Sequence, residues 1–346
     1  MVKSSKSIVS KWLFLGCIMI FFQILIGGIT RLTDSGLSIT EWDIIKGTLP
    51  PMNEAEWIAT FKKYQIHAQK QFISLHADMT LSHFKRIYFW EYFHRLWARI
   101  MGFVFIIPFI YFIATKKLSP KLIRQLIIVV LLASLAATFG WIMVASGLND
   151  DSRTWVSAYK LLAHLMIAGS LFGFLTYTYY NHKFKHLQNK CYFYSSKLLL
   201  WIGVLLFIQI AFGALMAGMK AALVFPYPTI LLKMSLFGEM LKTIQIQSFN
   251  DLLNYEPNNG IKLLVQIFHR ITAWVLVGSI AFFAIKNIHY LSVKLFISIL
   301  IIQIALGIIT VSYSIGKIPA FWGVVHQGVA FLLLANWVFL FYIRKK

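Results

Sequence analysis

The sequence predicts an all-α integral membrane protein with eight transmembrane helices, arranged as two pseudo-symmetric four-helix bundles in parallel orientation. Three observations lead to this fold class: eight apolar stretches, a segregation of charge between alternate connections, and an internal duplication. Of the 346 residues, 59% are hydrophobic and 13% are charged, and the mean hydropathy is +0.71. A soluble domain needs more polar surface than this to cover its core, so the bilayer is the expected solvent.

Each apolar stretch approaches the roughly 20 residues that a helix needs to cross the hydrocarbon of a bilayer. The first stretch lacks a small-residue cleavage site and continues into Gly27 and Gly28, which favours a membrane helix over a removed signal peptide. An even number of spans places both termini on one side. The stretches lie at about 12–30, 91–114, 123–145, 160–180, 197–217, 263–284, 294–312 and 321–342.

Charge divides the short connections into two sets. Lysine and arginine gather before the first span, after even-numbered spans and at the end of the chain, whereas all 12 acidic residues fall on or beside the other connections. The positive-inside rule then places both termini in the cytoplasm. No mitochondrial presequence is evident, so we expect a multi-pass protein of a bacterial inner (plasma) membrane. The formal net charge of +21 reflects this topology, and no nucleic-acid partner is expected.

Short motifs recur in the same order along the chain. They are Gln23-Ile-Leu-Ile-Gly27, Gln209-Ile-Ala-Phe-Gly213 and Gln303-Ile-Ala-Leu-Gly307, together with Phe93-His94-Arg95 and Phe268-His269-Arg270. A repeat of four helices returns to its starting side, so the halves should be related by an axis along the membrane normal. We expect an amino-terminal bundle over 1–190 and a carboxy-terminal bundle over 191–346, each capped by a long outer segment.

The ten histidines fall into two groups. Six lie in connections and are expected to be solvated: His67, His76, His83, His182, His186 and His289. The other four lie within about two turns of the outer end of an even-numbered span: His94, His164, His269 and His326. A polar side chain is costly in hydrocarbon, so these four either mark a site or form separate hydrogen bonds between helices.

The arrangement of these four histidines favours haem over a bare metal ion. Zinc takes several nitrogen, sulfur or oxygen ligands in a tight tetrahedron, whereas each half offers two imidazoles on different helices. Haem iron takes axial ligands above and below a flat macrocycle, and four-helix bundles hold such groups in their core. His94 with His164, and His269 with His326, therefore define two candidate haem sites toward the outer face.

The two candidate sites differ in one ionisable group. Glu91 stands three residues before His94, on the same helix face, whereas Gln266 holds the corresponding place before His269. A carboxylate beside a cofactor is a candidate for proton transfer or for stabilising developing positive charge. The alternative is an outer-face charge paired with a nearby arginine.

Three arginines lie near the outer boundary, where haem propionates would be placed: Arg31, Arg95 and Arg270. Guanidinium groups bind carboxylates bidentately. These arginines are candidate propionate contacts, with ordinary interfacial snorkelling as the alternative.

The stretch from Gly27 to Ser38, Gly-Gly-Ile-Thr-Arg-Leu-Thr-Asp-Ser-Gly-Leu-Ser, closely resembles the first outer loop of haem A synthases. The resemblance continues through Glu41-Trp42, Gly47, Pro50-Pro51, Trp57, Glu91-Tyr-Phe-His94-Arg95, the helix of His164, Phe268-His269-Arg270 and Val325-His326-Gln327. It covers nearly the whole chain. Some members of the family carry a cysteine pair in an outer loop; this chain has none there and resembles the cysteine-free branch.

The resemblance implies an oxidoreductase that oxidises the C8 methyl group of haem O to a formyl group, through two hydroxylations and loss of water. The product, haem A, serves terminal oxidases. It also implies a substrate haem between His94 and His164 beside a catalytic Glu91, and a resident haem b between His269 and His326. Implied partners are haem O, the haem O synthase that supplies it, an unidentified electron donor, and a terminal oxidase or its assembly factors. The sequence leaves open whether the protein forms a homo-oligomer.

Two other functions fit part of the pattern. A two-haem b-type membrane cytochrome that only relays electrons explains the four histidines equally well, but needs neither Glu91 nor the first-loop motif. A transporter built on parallel repeats is expected to have helices interrupted at the midplane, whereas these histidines lie near one face.

Overall fold

The computed structural model describes residues 2–41, 46–148, 154–227 and 248–345, with residues 238, 242 and 244 between them. Within this part of the chain, eight helices are long and apolar enough to cross a membrane, and no strand occurs. They are α1 (Val2–Leu32), α2 (Leu81–Ala114), α3 (Pro120–Ala145), α4 (Ala158–Lys183), α5 (Ser196–Gly218), α6 (Asn259–Asn287), α7 (Leu291–Ser312) and α8 (Ala320–Ile343). The prediction of an all-α multi-pass membrane protein is confirmed.

The outer segments carry short helices of their own. Between α1 and α2 lie the helices Glu54–His67 and Gln69–Leu75, after a 3-10 turn at Lys46–Thr48. Between α5 and α6 lie a 3-10 turn at Ala221–Leu223 and a helix at Phe249–Leu253. Trp42, which belongs to the first-loop motif, lies outside the described residues.

Helix α2 begins well before its predicted boundary. The apolar stretch predicted a span over 91–114, but the helix covers Leu81–Ala114. The charges of Lys85 and Arg86 interrupt the hydropathy of its first turns, yet those turns pack against protein. Phe84 is fully buried among aromatic side chains of the outer helices. His94 and His269 therefore lie more than two turns from the start of their helices, because α2 and α6 both extend further outward than predicted.

Equivalent helix pairs pack in the two halves. Helix α1 packs on α2 and α3 on α4, as α5 packs on α6 and α7 on α8. The halves meet through α1 with α8, α4 with α5, and α4 with α8. One pair departs from this equivalence, because α6 packs on α7 whereas α2 and α3 are not closely packed. The grouping into two bundles, with a domain boundary between residues 190 and 191, stays a prediction.

Pro108 lies inside α2 and removes one helical hydrogen bond. Proline has no N–H, so the carbonyl of Val104 loses its usual partner four residues later. The indole N–H of Trp12, on α1, donates to that carbonyl at 3.0 Å. An unpaired backbone group is costly in a membrane interior. Trp12 therefore satisfies the carbonyl that the proline leaves free and fixes α1 against α2.

His76 is an exception to the predicted solvation of the histidines in connections. Its side chain is buried, and Nδ1 lies 2.7 Å from the hydroxyl of Tyr64. That hydroxyl donates to Gln71 Oε1, and Gln71 Nε2 donates to the carbonyl of Asp34. Burial lowers the pKa of His76 below its usual range. The prediction was wrong because the outer helices form a small core of their own around Tyr64.

Candidate functional site

One cavity of about 1270 Å³ lies among the membrane helices and reaches all four membrane histidines. Most of its lining side chains are apolar, as is usual for ligand sites. All eight residues singled out from the sequence line it: Arg31, Glu91, His94, Arg95, His164, His269, Arg270 and His326. The structure therefore brings the predicted site residues to a single internal space.

Each of the four histidines packs against a glycine of the preceding helix. A Cβ built on that glycine would lie 3.0 to 3.6 Å from the imidazole Cε1. Because real Cβ contacts are seldom tighter than about 3.4 Å, the bare backbone is what lets most of these rings approach so closely. The pairs are Gly27 with His94 at 3.0 Å, Gly140 with His164 at 3.2 Å, Gly213 with His269 at 3.6 Å, and Gly307 with His326 at 3.0 Å.

In three of these pairs a glutamine one turn before the glycine also faces the ring. Nε2 of Gln23 lies 3.2 Å from Nδ1 of His94, and Gln209 makes the same contact with His269. Nε2 of Gln303 lies 3.4 Å from Nε2 of its histidine. The amide N–H donates to the ring nitrogen, and the contact fixes the orientation of the imidazole. The recurring Gln-x-x-x-Gly motif thus supplies both contacts to the imidazole.

His164 obtains its second partner in a different way. The residue one turn before Gly140 is Ala136, whose backbone carbonyl lies 2.9 Å from Nδ1 of His164. An Nδ1–H that donates to a carbonyl leaves Nε2 with the free lone pair, the form in which imidazole binds a metal. Sequence reasoning missed Gly140 and Ala136, because α3 lacks the glutamine that marks the motif in the other three helices.

The two histidines of each half lie on different helices and line the same cavity. Among the residues that the structure describes, no group of three or more His, Cys, Asp or Glu side chains could hold a bare metal ion. This pattern offers a pair of imidazoles per half and no larger donor set. Such a pair is what a haem iron takes as axial ligands.

Among the described residues, two buried amide oxygens on residues that line the cavity have no hydrogen-bond partner: Gln23 Oε1 and Gln303 Oε1. Buried polar atoms are normally paired, so unpaired ones mark places where a ligand or an ordered water completes the structure. Together with the paired imidazoles and the apolar walls, they fit a haem group.

Glu91 is buried and forms an ion pair with Arg95. Nε of Arg95 lies 2.6 Å from Oε1 of Glu91, and only 4% of the surface of Glu91 is exposed. The other guanidinium nitrogens of Arg95 donate to the carbonyls of Ile39 at 3.0 Å and Glu41 at 3.1 Å. The first outer segment therefore holds Arg95, and Arg95 holds Glu91 at the edge of the cavity.

The second half repeats this arrangement without the carboxylate. Gln266 Nε2 donates to the carbonyl of Phe225 at 2.8 Å, and Arg270 donates to the same carbonyl at 3.4 Å. Phe225 and Ile39 each lie twelve residues after the glycine of their motif. Equivalent backbone carbonyls thus bind equivalent arginines, and Gln266 stands where the first half has the Glu91 carboxylate of an ion pair.

Arg31 joins the outer ends of α1 and α5. Its Nη2 donates at 2.9 Å to the carbonyl of Gly218, the last residue of α5, and its Nη1 lies 3.5 Å from Asp34 Oδ1. Its buried Nε has no partner, and neither has the buried Nη1 of Arg270. Both side chains therefore line the cavity with an unused N–H.

Comparisons with known proteins agree with this site. A sequence profile of the COX15-CtaA family, described as cytochrome oxidase assembly protein, matches residues 10–338. The chain is similar to proteins named Heme A synthase from Flavobacterium psychrophilum (35% identity; 97% of each chain) and Wolbachia pipientis (36%; 98% of this chain, 93% of the relative). A third, from Ehrlichia ruminantium, is 37% identical over 96% of this chain and 92% of its own. The resemblance predicted from the first-loop motif is confirmed.

Proposed function

The chain belongs to the COX15-CtaA family of cytochrome oxidase assembly proteins, and we propose that it is a haem A synthase. In this function it oxidises the C8 methyl group of haem O to a formyl group, giving haem A for a terminal oxidase. The observation that carries the proposal is the buried Glu91–Arg95 pair, which adjoins one pair of imidazoles, whereas Gln266 takes the place of the carboxylate beside the other. A protein that only relays electrons between two haems has no need of this difference.

We assign the substrate haem to His94 and His164 in the first half, and a resident haem b to His269 and His326 in the second. The paired imidazoles, the glycines beside them and the unpaired amide oxygens support both assignments. A bound haem supplies the redox chemistry. His94 with His164, and His269 with His326, would hold the two haems, while the neighbouring helix fixes each imidazole and apolar side chains enclose the site.

Glu91 would accept protons released from the substrate or stabilise positive charge that develops near the methyl group. Converting a methyl to a formyl group removes protons as well as electrons, so the site needs a nearby base. Arg95 restricts the carboxylate to one orientation, and the outer-segment carbonyls restrict Arg95 in turn. A group held in place before the reaction loses little freedom during it.

The arginines of the cavity are suited to haem propionates. Arg31 and Arg270 each retain a buried N–H without a partner, which favours them as direct contacts. Arg95 already binds Glu91 and two carbonyls, so its role at the first site is primarily to position the carboxylate.

We place both termini in the cytoplasm of a bacterial cell, and the haem sites toward the outer face of its inner membrane. The lysine and arginine distribution and the positions of the four histidines support this orientation. Partners would then be the haem O synthase that supplies the substrate, an electron donor, and a terminal oxidase or its assembly factors.

The deciding experiment is extraction of haem from the purified protein, produced in cells that make haem O, followed by chromatography. We expect haem B together with haem O or haem A, and formation of haem A in membranes that contain the protein. Haem B alone, with no haem A formed, would assign the chain to the electron-relaying cytochromes instead.

A further inference from the structure

The cavity is closed on one side in the second half and open on the equivalent side in the first. Helix α6 packs on α7, whereas α2 and α3 are not closely packed. In keeping with this, α2 and α3 are the least buried of the eight membrane helices. The first-half site therefore faces the surrounding lipid between α2 and α3.

Three residues along this opening are smaller than their counterparts. Aligning His94 with His269 matches α2 to α6, and aligning Gly140 with Gly307 matches α3 to α7. All six residues in three matched pairs line the cavity, and the first-half residue is the smaller each time. The pairs are Gly102 with Val277, Ala133 with Leu300, and Ala137 with Ile304. We call Gly102, Ala133 and Ala137 the α2–α3 seam.

Exposure differs in the same way. The three seam residues are exposed although they line the cavity, whereas Leu300 is buried and Val277 and Ile304 are half-buried. A Cβ built on Gly102 would meet no atom within 4 Å. The seam is therefore a gap in the cavity wall, while larger side chains fill the corresponding place in the second half.

We propose that the α2–α3 seam binds the isoprenoid tail of haem O and lets the tail extend into lipid, an inference that rests on the proposed function. Haem O carries a long farnesyl-derived chain where haem b carries a short vinyl group. A chain of that length needs an apolar channel with an open end, and only the first half provides one. The second half, whose wall is filled, encloses the tail-free haem b.

The position of the seam along the helices agrees with this orientation of the substrate. Gly102 lies eight residues inward of His94, or about 12 Å at the rise of an α-helix. Ala133 lies seven residues inward of Gly140, or about 10 Å. The arginines lie at the outer end of the same cavity. Propionates at the outer arginines would thus direct the opposite side of the macrocycle, which bears the tail, toward the seam.

The test gives the first half the side chains of the second, in the combined variant Gly102→Val, Ala133→Leu and Ala137→Ile. The purified protein, with its resident haem, is titrated separately with haem O and with haem B. We expect the affinity for haem O to fall about tenfold or more, while the affinity for haem B changes less than about threefold. Gly278→Val is the control, because Gly278 also faces open space but does not line the cavity.

Unchanged affinity for haem O in the combined variant, or an equal loss for both haems, would overturn the proposal. Retention of the resident haem shows that the combined variant is folded. If the combined variant does not accumulate in cells, the single variant Ala133→Leu is tested for the same selectivity between haem O and haem B. The proposed function is judged on the wild type, by whether it forms haem A at all. If the wild type and the combined variant form haem A equally well, the proposed function stands and only the role of the α2–α3 seam is refuted.

Discussion

The carboxylate of Asp34 lies 2.8 Å from Nζ of Lys220, and the two residues occupy equivalent positions in the two halves. Each stands seven residues after the glycine of its motif, and each has a left-handed backbone, with φ of 54° and 51°. Equivalent residues can touch only near the axis that relates the halves. The bridge therefore marks where the ends of α1 and α5 meet at the outer surface. The ammonium group also lies 4.4 Å from the centre of the Trp155 ring.

Breaking this bridge should loosen the junction between the halves. Both side chains are mostly buried, with 24% of Asp34 and 18% of Lys220 exposed. Asp34→Asn therefore leaves Lys220 and Arg31 without the carboxylate that they share, and Lys220→Met leaves Asp34 with the longer contact to Arg31 alone. We expect a loss of about 1–3 kcal/mol in stability, measured as a lower midpoint of thermal unfolding in detergent. The exchanged pair Asp34→Lys with Lys220→Asp should recover part of that loss. A pair no more stable than the single variants would contradict this role.

Replacing Glu91 by Gln makes the first site resemble the second. We expect Glu91→Gln to retain the resident haem while haem A production falls at least about a hundredfold, as for loss of a general base. Chromatography of extracted haems measures both quantities. Glu56→Gln, which alters an exposed carboxylate of the outer segment, is the control and should behave as wild type. Normal haem A from the Glu91 variant would remove its catalytic assignment.

If two histidines ligate the same haem iron, replacing either one should affect the same haem signal. His269→Ala and His326→Ala should each abolish the same low-spin haem signal in purified protein, because a six-coordinate iron needs both axial imidazoles. His94→Ala should leave that signal in place. Optical and electron paramagnetic resonance spectra measure these changes. If the two substitutions removed different signals, the pairing would be wrong.

The glycines beside His269 and His326 allow a comparison within one proposed haem site. A Cβ on Gly307 would lie 3.0 Å from Cε1 of His326, whereas a Cβ on Gly213 would lie 3.6 Å from Cε1 of His269, an ordinary contact. Gly307→Ala should therefore displace its ring at a cost of about 1–3 kcal/mol, seen as reduced haem occupancy. Gly213→Ala should retain nearly full occupancy. Equal effects of the two substitutions would show that ring packing does not control occupancy.

His76 should make the outer segment sensitive to acid. Burial lowers the pKa of His76 in the folded protein, and the nearby His83 and Lys220 lower it further. The carboxylates of Asp34 and Asp78 raise it but do not cancel these effects, so protonation favours the opened segment. The folded outer segment has its full stability above the pKa of His76 in the unfolded state, about 6.5, and loses stability as the pH falls below that value. The protection factors of amides in the helix Glu54–His67, which correct for the slower intrinsic exchange in acid, should be lower at about pH 5.5 than at about pH 7.5.

The matching control is His76→Gln, which keeps a polar side chain beside Tyr64 but cannot be protonated in this range. In that variant the difference in protection factors between the two pH values should disappear. A difference that persisted would assign the acid sensitivity to another group.

Much of the candidate site could be predicted from the sequence, because the relevant signals are local. A charged or imidazole side chain within an apolar stretch stands out without knowledge of its neighbours, which is how Glu91 and His94 were found. The start of α2 and the burial of His76 could not be predicted in this way. Both depend on the outer helices folding back over the end of α2, so that protein replaces lipid or water around residues whose own hydropathy is low.

The amino-acid sequence by itself determined the eight membrane helices, the four histidines, the duplication and the family, since hydropathy, residue type and motif order do not depend on packing. Only the tertiary structure decided which groups touch. It places the Ala136 carbonyl on His164 and Asp34 on Lys220, and it leaves the α2–α3 seam open. Such contacts join residues far apart in the chain, and their distances depend on how whole helices pack against one another. Local sequence patterns do not determine this packing.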